Sequence, residues 1–257
     1  MQNIDLLFII QPLTILILSG VPILYWRFKR TFKWSTLLYT LIAYAVAIIL
    51  KDIVQSLTLP SILESYGAGS WATGVYYGLQ TVIFEVVGAY VVALYATSRC
   101  KFSAKDAEAY GLGLSFWENG FLLGILSFIN MTAIYLVLAS NTAAAQNVYS
   151  QLVVSQPYLF YPASQALPLV GLGILERTSS LLFHFSWGYL CIVAAYFHKK
   201  KYFLLALPMG LIDFFVPFAQ ALTLPVFEAL IFAFAVASLG VALISTRKLR
   251  KSPEFKA

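Results

Sequence analysis

Seven long stretches of the chain are made almost entirely of apolar residues, and short polar segments separate them. Each stretch has about 20 residues or more, which is the length that an α-helix needs to cross the hydrocarbon core of a bilayer. We therefore predict an all-α polytopic membrane protein with a single transmembrane domain over residues 1–257. Its helices are predicted at residues 5–25, 35–58, 71–97, 108–139, 173–197, 203–221 and 225–245.

The composition supports this prediction. Hydrophobic residues make up 60% of the 257 positions and charged residues only 11%, and the mean hydropathy is +0.81. A soluble domain of this length does not need so many apolar residues. The longest polar connection, at 140–172, is predicted to be an extracytoplasmic loop, in which the segment "SQPYLFYP" suits the membrane interface.

The basic residues indicate how the chain crosses the membrane. All of the 17 lysines and arginines except Lys51 and Arg177 lie on alternate connections or in the basic tail at 246–257. By the positive-inside rule, the N-terminus is expected outside and the tail in the cytoplasm. The net charge of +6 is thus a topology signal. We expect contact with membrane lipids, the anionic ones included, and no nucleic-acid partner. The basic residues on these segments are Arg27, Lys29, Arg30, Lys33, Arg99, Lys101, Lys105, Lys199, Lys200, Lys201, Arg247, Lys248, Arg250, Lys251 and Lys256.

Ionisable residues inside the predicted spans fall at two depths. At about 1.5 Å per residue, four of them lie near the middle of the membrane: Glu85, Glu118, His184 and Asp213. The others lie in the outer half: Lys51, Asp52, Glu176, Arg177 and Glu228. Because ionisable groups are costly in the bilayer, each layer needs a structural or functional explanation.

We interpret the outer layer as ion pairs that hold the helices together, with Lys51 or Arg177 bound to Asp52, Glu176 or Glu228. The midplane layer, with Asn119 beside Glu118, is interpreted as a polar cluster lining a cavity. Its groups could bind a metal, activate a water, relay protons or share protons in a structural network.

The fifth predicted helix carries a polar stripe. Glu176, Ser180 and His184 are spaced four residues apart, so they share one face of that helix. This spacing predicts that the stripe faces the interior of the bundle, and it does not identify a reaction.

The order of the polar motifs resembles the YhfC family of intramembrane metalloproteases, within the larger group that includes PrsW and the CAAX prenyl proteases. The resemblance runs from about residue 5 to residue 220. It is carried by the segments "GLQTVIFEVVGAY", "YGLGLSFWENG", "ERTSSLLFHFSWGYL" and "ALPMGLIDFF". The positions that match the family motifs are Glu85, Gly111, Gly113, Glu118, Glu176, Arg177, Phe183, His184 and Asp213.

The chain departs from the family pattern at six positions. Val86 stands for a second glutamate and Ala89 for an arginine, and Ser115 and Phe116 stand for glycines. Leu114 and Met209 occupy positions where relatives carry histidine. The resemblance implies that active relatives hold or activate the attacking water with a glutamate and two histidines. Neither leucine nor methionine can accept a proton from that water.

The resemblance therefore implies a family scaffold whose catalytic motifs are degenerate. In this interpretation the protein has no cofactor and binds a lipid, a hydrophobic peptide or a partner's transmembrane helix in the midplane cavity. One alternative is an active intramembrane protease that uses Glu85 with His184, and only this alternative calls for zinc. Another is an accessory subunit of a membrane complex, or a small transporter coupled to protons or cations.

Overall fold

The chain folds into a bundle of long apolar helices, seen in a computed structural model that describes residues 3–29, 33–140 and 142–256. All seven predicted spans are confirmed by helices long and apolar enough to cross a membrane, and the protein is a multi-pass membrane protein. Arg30 of the predicted basic residues, residue 141 of the predicted loop and residue 257 of the predicted tail lie outside the described residues. The sidedness of the termini stays a prediction.

The helices are numbered here in chain order. The membrane-spanning ones are α1 (Leu7–Lys29), α2 (Trp34–Tyr66), α3 (Trp71–Arg99), α4 (Asp106–Ala139), α6 (Ala163–Tyr196), α7 (Lys200–Ala206, continued by a 3-10 helix at Leu207–Ala221) and α8 (Leu224–Ser245). The short helix α5 (Ala143–Ser155) lies between α4 and α6, and α9 (Pro253–Lys256) follows α8.

The segment predicted as a loop at 140–172 contains more helix than expected. It holds α5, a 3-10 turn at Pro157–Phe160 and the first residues of α6, which begins at Ala163 instead of residue 173. The difference arises at Pro168, which lies inside α6. Proline removes one backbone hydrogen bond, and a long helix in a membrane protein can tolerate that loss where neighbouring groups satisfy the freed carbonyl.

Three of the spanning helices depart from α geometry near the middle of the bundle. Residues Thr81–Val87 of α3 and Phe116–Leu126 of α4 form π-helix, while α7 continues as 3-10 helix with Pro217 inside it. A π-segment inserts extra backbone into a turn and changes the direction of the side chains that follow. These departures therefore decide where the polar side chains of α3, α4 and α7 point.

The core lies where α3, α4, α6 and α8 pack together. Helices α4 and α6 approach closely at Gly111 and Gly188, since a Cβ on Gly188 would lie 2.9 Å from Gly111 Cα. Small residues permit such close packing in lipid, where helix association depends on van der Waals contact. Around this crossing the large side chains Tyr110, Trp187 and Tyr189 are fully buried. This packed region supports one end of the cavity described next.

Candidate functional site

A cavity of about 380 Å³ opens between the helices that carry the polar residues. Its volume lies within the usual range for sites that bind small molecules or short segments. Much of its wall is aromatic or aliphatic, with Tyr44, Phe183, Trp187 and Ile231 among the lining residues. The ionisable residues that line it are Lys51, Glu85, Glu118, Glu176, Arg177, His184, Asp213 and Glu228.

Three side chains converge at one point of this cavity. His184 Nε2 lies 3.0 Å from Glu118 Oε2 and 3.4 Å from Glu85 Oε2. The side chains of Glu85 and His184 are 9% and 7% exposed, and that of Glu118 is 20% exposed. The two acids come from the π-segments of α3 and α4, and the histidine comes from α6.

Each glutamate directs its other oxygen to a cation of the protein. Lys51 Nζ donates to Glu85 Oε1 at 2.6 Å, and Arg177 Nη1 donates to Glu118 Oε1 at 3.2 Å. Both Oε2 atoms are left facing His184. Each carboxylate is thus oriented from behind by a charge-assisted hydrogen bond.

The ring of His184 is oriented by its own helix. Nδ1 lies 2.9 Å from the carbonyl oxygen of Ser180, which can only accept a hydrogen bond, so Nδ1 carries a proton. In the neutral ring, Nε2 is then the nitrogen with the free lone pair. Ser180 Oγ donates to Glu118 Oε1 at 3.4 Å and accepts from Asn119 Nδ2 at 3.1 Å, which ties the histidine turn to α4.

The orientation of the His184 ring, as well as its distance from the two carboxylates, decides whether hydrogen bonds form between them. His184 Nε2 is buried, and two carboxylate oxygens lie within 3.4 Å of it. A hydrogen on Nε2 would be aligned with neither oxygen. Nε2 therefore has no hydrogen-bond partner within the described residues. An ideal imidazolium pairing with a carboxylate would align the N–H with the oxygen. The contacts of Nε2 with the two carboxylates are therefore electrostatic, and no described donor or acceptor forms a hydrogen bond with this nitrogen.

The three converging atoms fit a divalent metal ion. Glu85, Glu118 and His184 each offer a ligand atom, and these atoms lie within 4.8 Å of one another. Two ligands of a tetrahedral zinc ion, each about 2.1 Å from it, are about 3.4 Å apart. The distances from Nε2 to the two carboxylate oxygens, 3.0 and 3.4 Å, are close to that value. The hydrogen bond that Nδ1 donates and those that both Oε1 atoms accept are of the kind that supports ligands at metal sites.

Lys51 connects these three residues to the fourth predicted midplane residue. Its ammonium lies 3.0 Å from Asp213 Oδ2 and 2.9 Å from Thr81 Oγ1, and Thr81 donates to the same Asp213 oxygen at 2.5 Å. The Asp213 side chain is 33% exposed and belongs to the 3-10 segment of α7. Asp213 therefore shares a cation with Glu85 and does not face His184 directly.

The structure does not divide the ionisable residues into the two layers expected from depth. Lys51 and Arg177, predicted in the outer layer, bind Glu85 and Glu118 of the midplane layer, and Arg177 also contacts Glu176. Asp52 is exposed and does not line the cavity. A lysine or arginine side chain extends several ångströms along the helix, so the depth of its Cα does not fix the depth of its charge.

Two further predicted residues, Asn119 of the midplane cluster and Glu228 of the outer ion pairs, have roles outside the convergence point. Asn119 is fully buried and bonds the carbonyl of Ser115 as well as Ser180, so it packs behind the cavity. Glu228 lines the cavity but forms no ion pair in the part of the chain that the structure describes.

Some contributors to the site were not found by sequence reasoning. Thr81 and Tyr44 are neutral and sit in apolar helices, so nothing in composition distinguishes them from packing residues. Ser180 was recognised through its four-residue spacing to His184, and the structure places both in contact at 3.3 Å. The π-segments that carry Glu85 and Glu118 had no visible signal in the sequence.

The positions where histidines were expected by resemblance lie away from the cavity. Leu114 and Met209 are each 3% exposed and belong to the apolar core. Neither side chain lines the cavity as far as the described chain shows. Leu114 packs against the α6 turn at Gly188, one turn beyond His184.

A model of one protein family matches most of the chain. The family is described as YhfC intramembrane metalloprotease, and the match covers residues 13–234. This range contains every ionisable residue that lines the cavity. No curated protein and no solved structure matches the chain.

Proposed function

Since the chain belongs to the YhfC intramembrane metalloprotease family, we propose that it is a metal-dependent peptidase acting on hydrophobic polypeptide segments within the membrane. Glu85, Glu118 and His184 hold the metal ion in this proposal. The single observation that carries it is the convergence of two Oε2 atoms and His184 Nε2, the last of which has no hydrogen-bond partner within the described residues. The missing family histidines favoured a non-catalytic protein, and this convergence supplies a replacement set of ligands.

The side chains around the three ligands have supporting tasks. Lys51 and Arg177 hold the outer oxygens of the two glutamates, and the carbonyl of Ser180 holds the histidine ring. A bound divalent ion such as zinc would lower the pKa of the attacking water and polarise the scissile carbonyl. Lys51, whose ammonium reaches the cavity, adds a positive charge near the oxygen that becomes negative during hydrolysis.

The walls of the cavity support the choice of substrate class. The wall between the charged groups is formed by residues such as Phe183, Trp187, Ile212 and Ile231. Apolar side chains of a peptide can replace lipid or water there at a gain of about 25 cal/mol per Å² of apolar surface buried. A hydrophobic segment entering from the bilayer thus fits the cavity better than a polar soluble substrate.

A second candidate function is a binding cavity without catalysis. One observation favours it: Lys51 lies 2.6 Å from Glu85 and 3.0 Å from Asp213, so the acids are already partly neutralised by the chain itself. In that case a hydrophobic ligand or a partner helix occupies the cavity, and no metal is needed.

Metal analysis of the purified protein separates the two candidates. We expect about one zinc or similar divalent ion per chain, lost in Glu118→Gln and in His184→Gln, together with cleavage of a fluorogenic hydrophobic peptide that is lost in the same variants. Glu64→Gln is the matched control, because Glu64 is exposed on α2 and does not line the cavity. Correctly folded wild-type protein that takes up no metal from a zinc-containing buffer would refute the peptidase and favour the binding cavity.

A further inference from the structure

Glu228 is a buried acid that forms no ion pair in the described chain. The residue is 5% exposed and lies on the second turn of α8, where it lines the same cavity as His184 and Arg177. Its Oε2 is buried without a hydrogen-bond partner among residues 3–29, 33–140 and 142–256. Buried carboxylates normally have hydrogen bonds or a cation, so this one calls for a partner that the polypeptide does not supply.

The other charges of the cavity wall are already engaged. Lys51 is bound to Glu85 and Asp213, and Arg177 is bound to Glu118 and Glu176. Each of the two lining cations is thus shared between two acids, and Glu228 is the fifth lining acid. The wall therefore carries more acids than lysines and arginines, and a metal ion held by Glu85, Glu118 and His184 would not contact Glu228 as a ligand. Glu228 remains free to bind a positive group of a molecule that enters the cavity.

We propose that Glu228 is a specificity-determining residue that binds an ammonium group on a hydrophobic peptide. This inference rests on the proposed function for the nature of the substrate, although the binding step itself does not need catalysis. The ammonium group can be a free peptide N-terminus or a lysine side chain, which present the same N–H donors. An ion pair in a water-poor cavity is stronger than one at a protein surface.

The surroundings of Glu228 favour a cation carried on an apolar body. Phe227 and Ile231, on the same helix, also line the cavity. A small inorganic cation would gain nothing from these side chains, whereas the hydrocarbon part of a peptide would be covered by them. The same helix face therefore offers one charged contact beside an apolar surface, as expected for a group that selects one class of peptide.

The test is a binding measurement with four fluorescent peptides. They are short, apolar and labelled at the C-terminus: one has a free N-terminus, one is N-acetylated, one is N-acetylated with a central lysine, and one has norleucine in place of that lysine. Dissociation constants are measured by fluorescence anisotropy on the whole purified protein in a detergent free of amines. A chelator is present, so metal-dependent cleavage cannot interfere.

We expect the wild-type protein to bind at least one ammonium-bearing peptide about tenfold more tightly than its neutral counterpart, which is the effect of one charge-assisted hydrogen bond. Comparing the free and the acetylated N-terminus tests whether Glu228 binds a peptide N-terminus. Comparing the lysine and the norleucine peptide tests whether it binds a lysine side chain. Glu228→Gln should remove this preference and leave the dissociation constant of the neutral peptides unchanged. Glu64→Gln, at an exposed position of α2, should behave as the wild type.

Equal affinities for charged and neutral peptides in the wild type, no binding of any peptide, or a preference retained in Glu228→Gln would overturn the proposal. Glu228→Gln should fold, because the substitution breaks no hydrogen bond in the described chain. Its thermal midpoint, measured without peptide, checks this, and Glu228→Asp serves as a second variant that keeps the charge. A protein that shows the preference but cleaves no peptide would refute the peptidase and leave the role of Glu228 intact.

Discussion

Replacing Lys51 with methionine tests whether the ionisable residues of the cavity form one network. The ammonium of Lys51 contacts Glu85, Asp213 and Thr81 within 3.0 Å. Methionine keeps most of the apolar stem and removes the charge. In the metal-free protein, the substitution leaves two carboxylates in the membrane without their shared cation.

The two acids should contribute unequally to the loss of stability. Glu85 is 9% exposed, while Asp213 is 33% exposed and can be hydrated from the cavity. Removing one partner of a buried ion pair costs about 3–5 kcal/mol, whereas a pair reached by water contributes about 1 kcal/mol or less. We therefore expect Lys51→Met to lower the free energy of unfolding by about 3–5 kcal/mol, mostly through Glu85.

The assay is unfolding in mixed detergent micelles, titrated with a denaturing detergent in the presence of a chelator. Lys105→Met is the matched control, since Lys105 is exposed and precedes α4, and it should change stability by less than about 0.5 kcal/mol. The double variant Lys51→Met/Glu85→Gln removes both charges. It should recover about 2 kcal/mol relative to the sum of the single variants, as expected for residues in one network.

The reasoning fails if Lys51→Met costs less than about 1 kcal/mol. It also fails if the costs of the two single substitutions add without coupling, because independent sites are expected to be additive. Either result would mean that Glu85 is satisfied without Lys51, by water or by proton uptake. The contact between Lys51 Nζ and Glu85 Oε1 would then have no energetic role.

Two further predictions concern helix packing and the lost histidine positions. Gly188→Ala should lower the free energy of unfolding by about 1–3 kcal/mol, because its Cβ would lie 2.7 Å from Leu114 Cδ1 and 2.9 Å from Gly111 Cα. In the control Gly240→Ala, the added Cβ would meet no atom of another described helix within 4 Å, so stability should stay unchanged or rise by up to about 1 kcal/mol. Equal effects of the two substitutions in the same detergent titration would contradict the close packing of α4 and α6. Leu114→His should lower the free energy of unfolding by about 1–3 kcal/mol, because Leu114 is 3% exposed in the apolar core. It should not raise the affinity for zinc in a competition titration. Tighter zinc binding would show that a histidine at this position can reach the proposed metal site.

Much of the fold could be predicted from the sequence because the bilayer imposes a simple rule. A segment must be long and apolar to cross it, so the seven spans were recognisable from composition alone. The bounds were less accurate where proline and polar residues begin a helix, as at Ala163–Tyr196. The ionisable residues of the cavity were also recognisable, since charge in an apolar helix is rare and functional.

Their partners could not be predicted in the same way. Depth arithmetic placed Lys51 and Asp213 in different layers, but the structure joins them across 162 positions of sequence at 3.0 Å. The lysine side chain is long enough to change its depth, and its direction depends on the helices around it. The π-segments at Thr81–Val87 and Phe116–Leu126 further rotate Glu85 and Glu118 relative to an ideal α-helix.

The interpretation of activity also depended on contacts between different helices. Leu114 and Met209 at the histidine positions favoured a protein without catalysis, because neither side chain can accept a proton. In three dimensions His184 Nε2 lies 3.0 Å from Glu118 Oε2 and 3.4 Å from Glu85 Oε2, so another helix places a nitrogen atom beside both acids. The sequence alone determined the membrane-spanning architecture and the residue types available, because hydrophobic burial depends on composition and spacing. Only the tertiary structure decided which charges meet, because those contacts are set by helix packing and side-chain reach between residues distant in the chain.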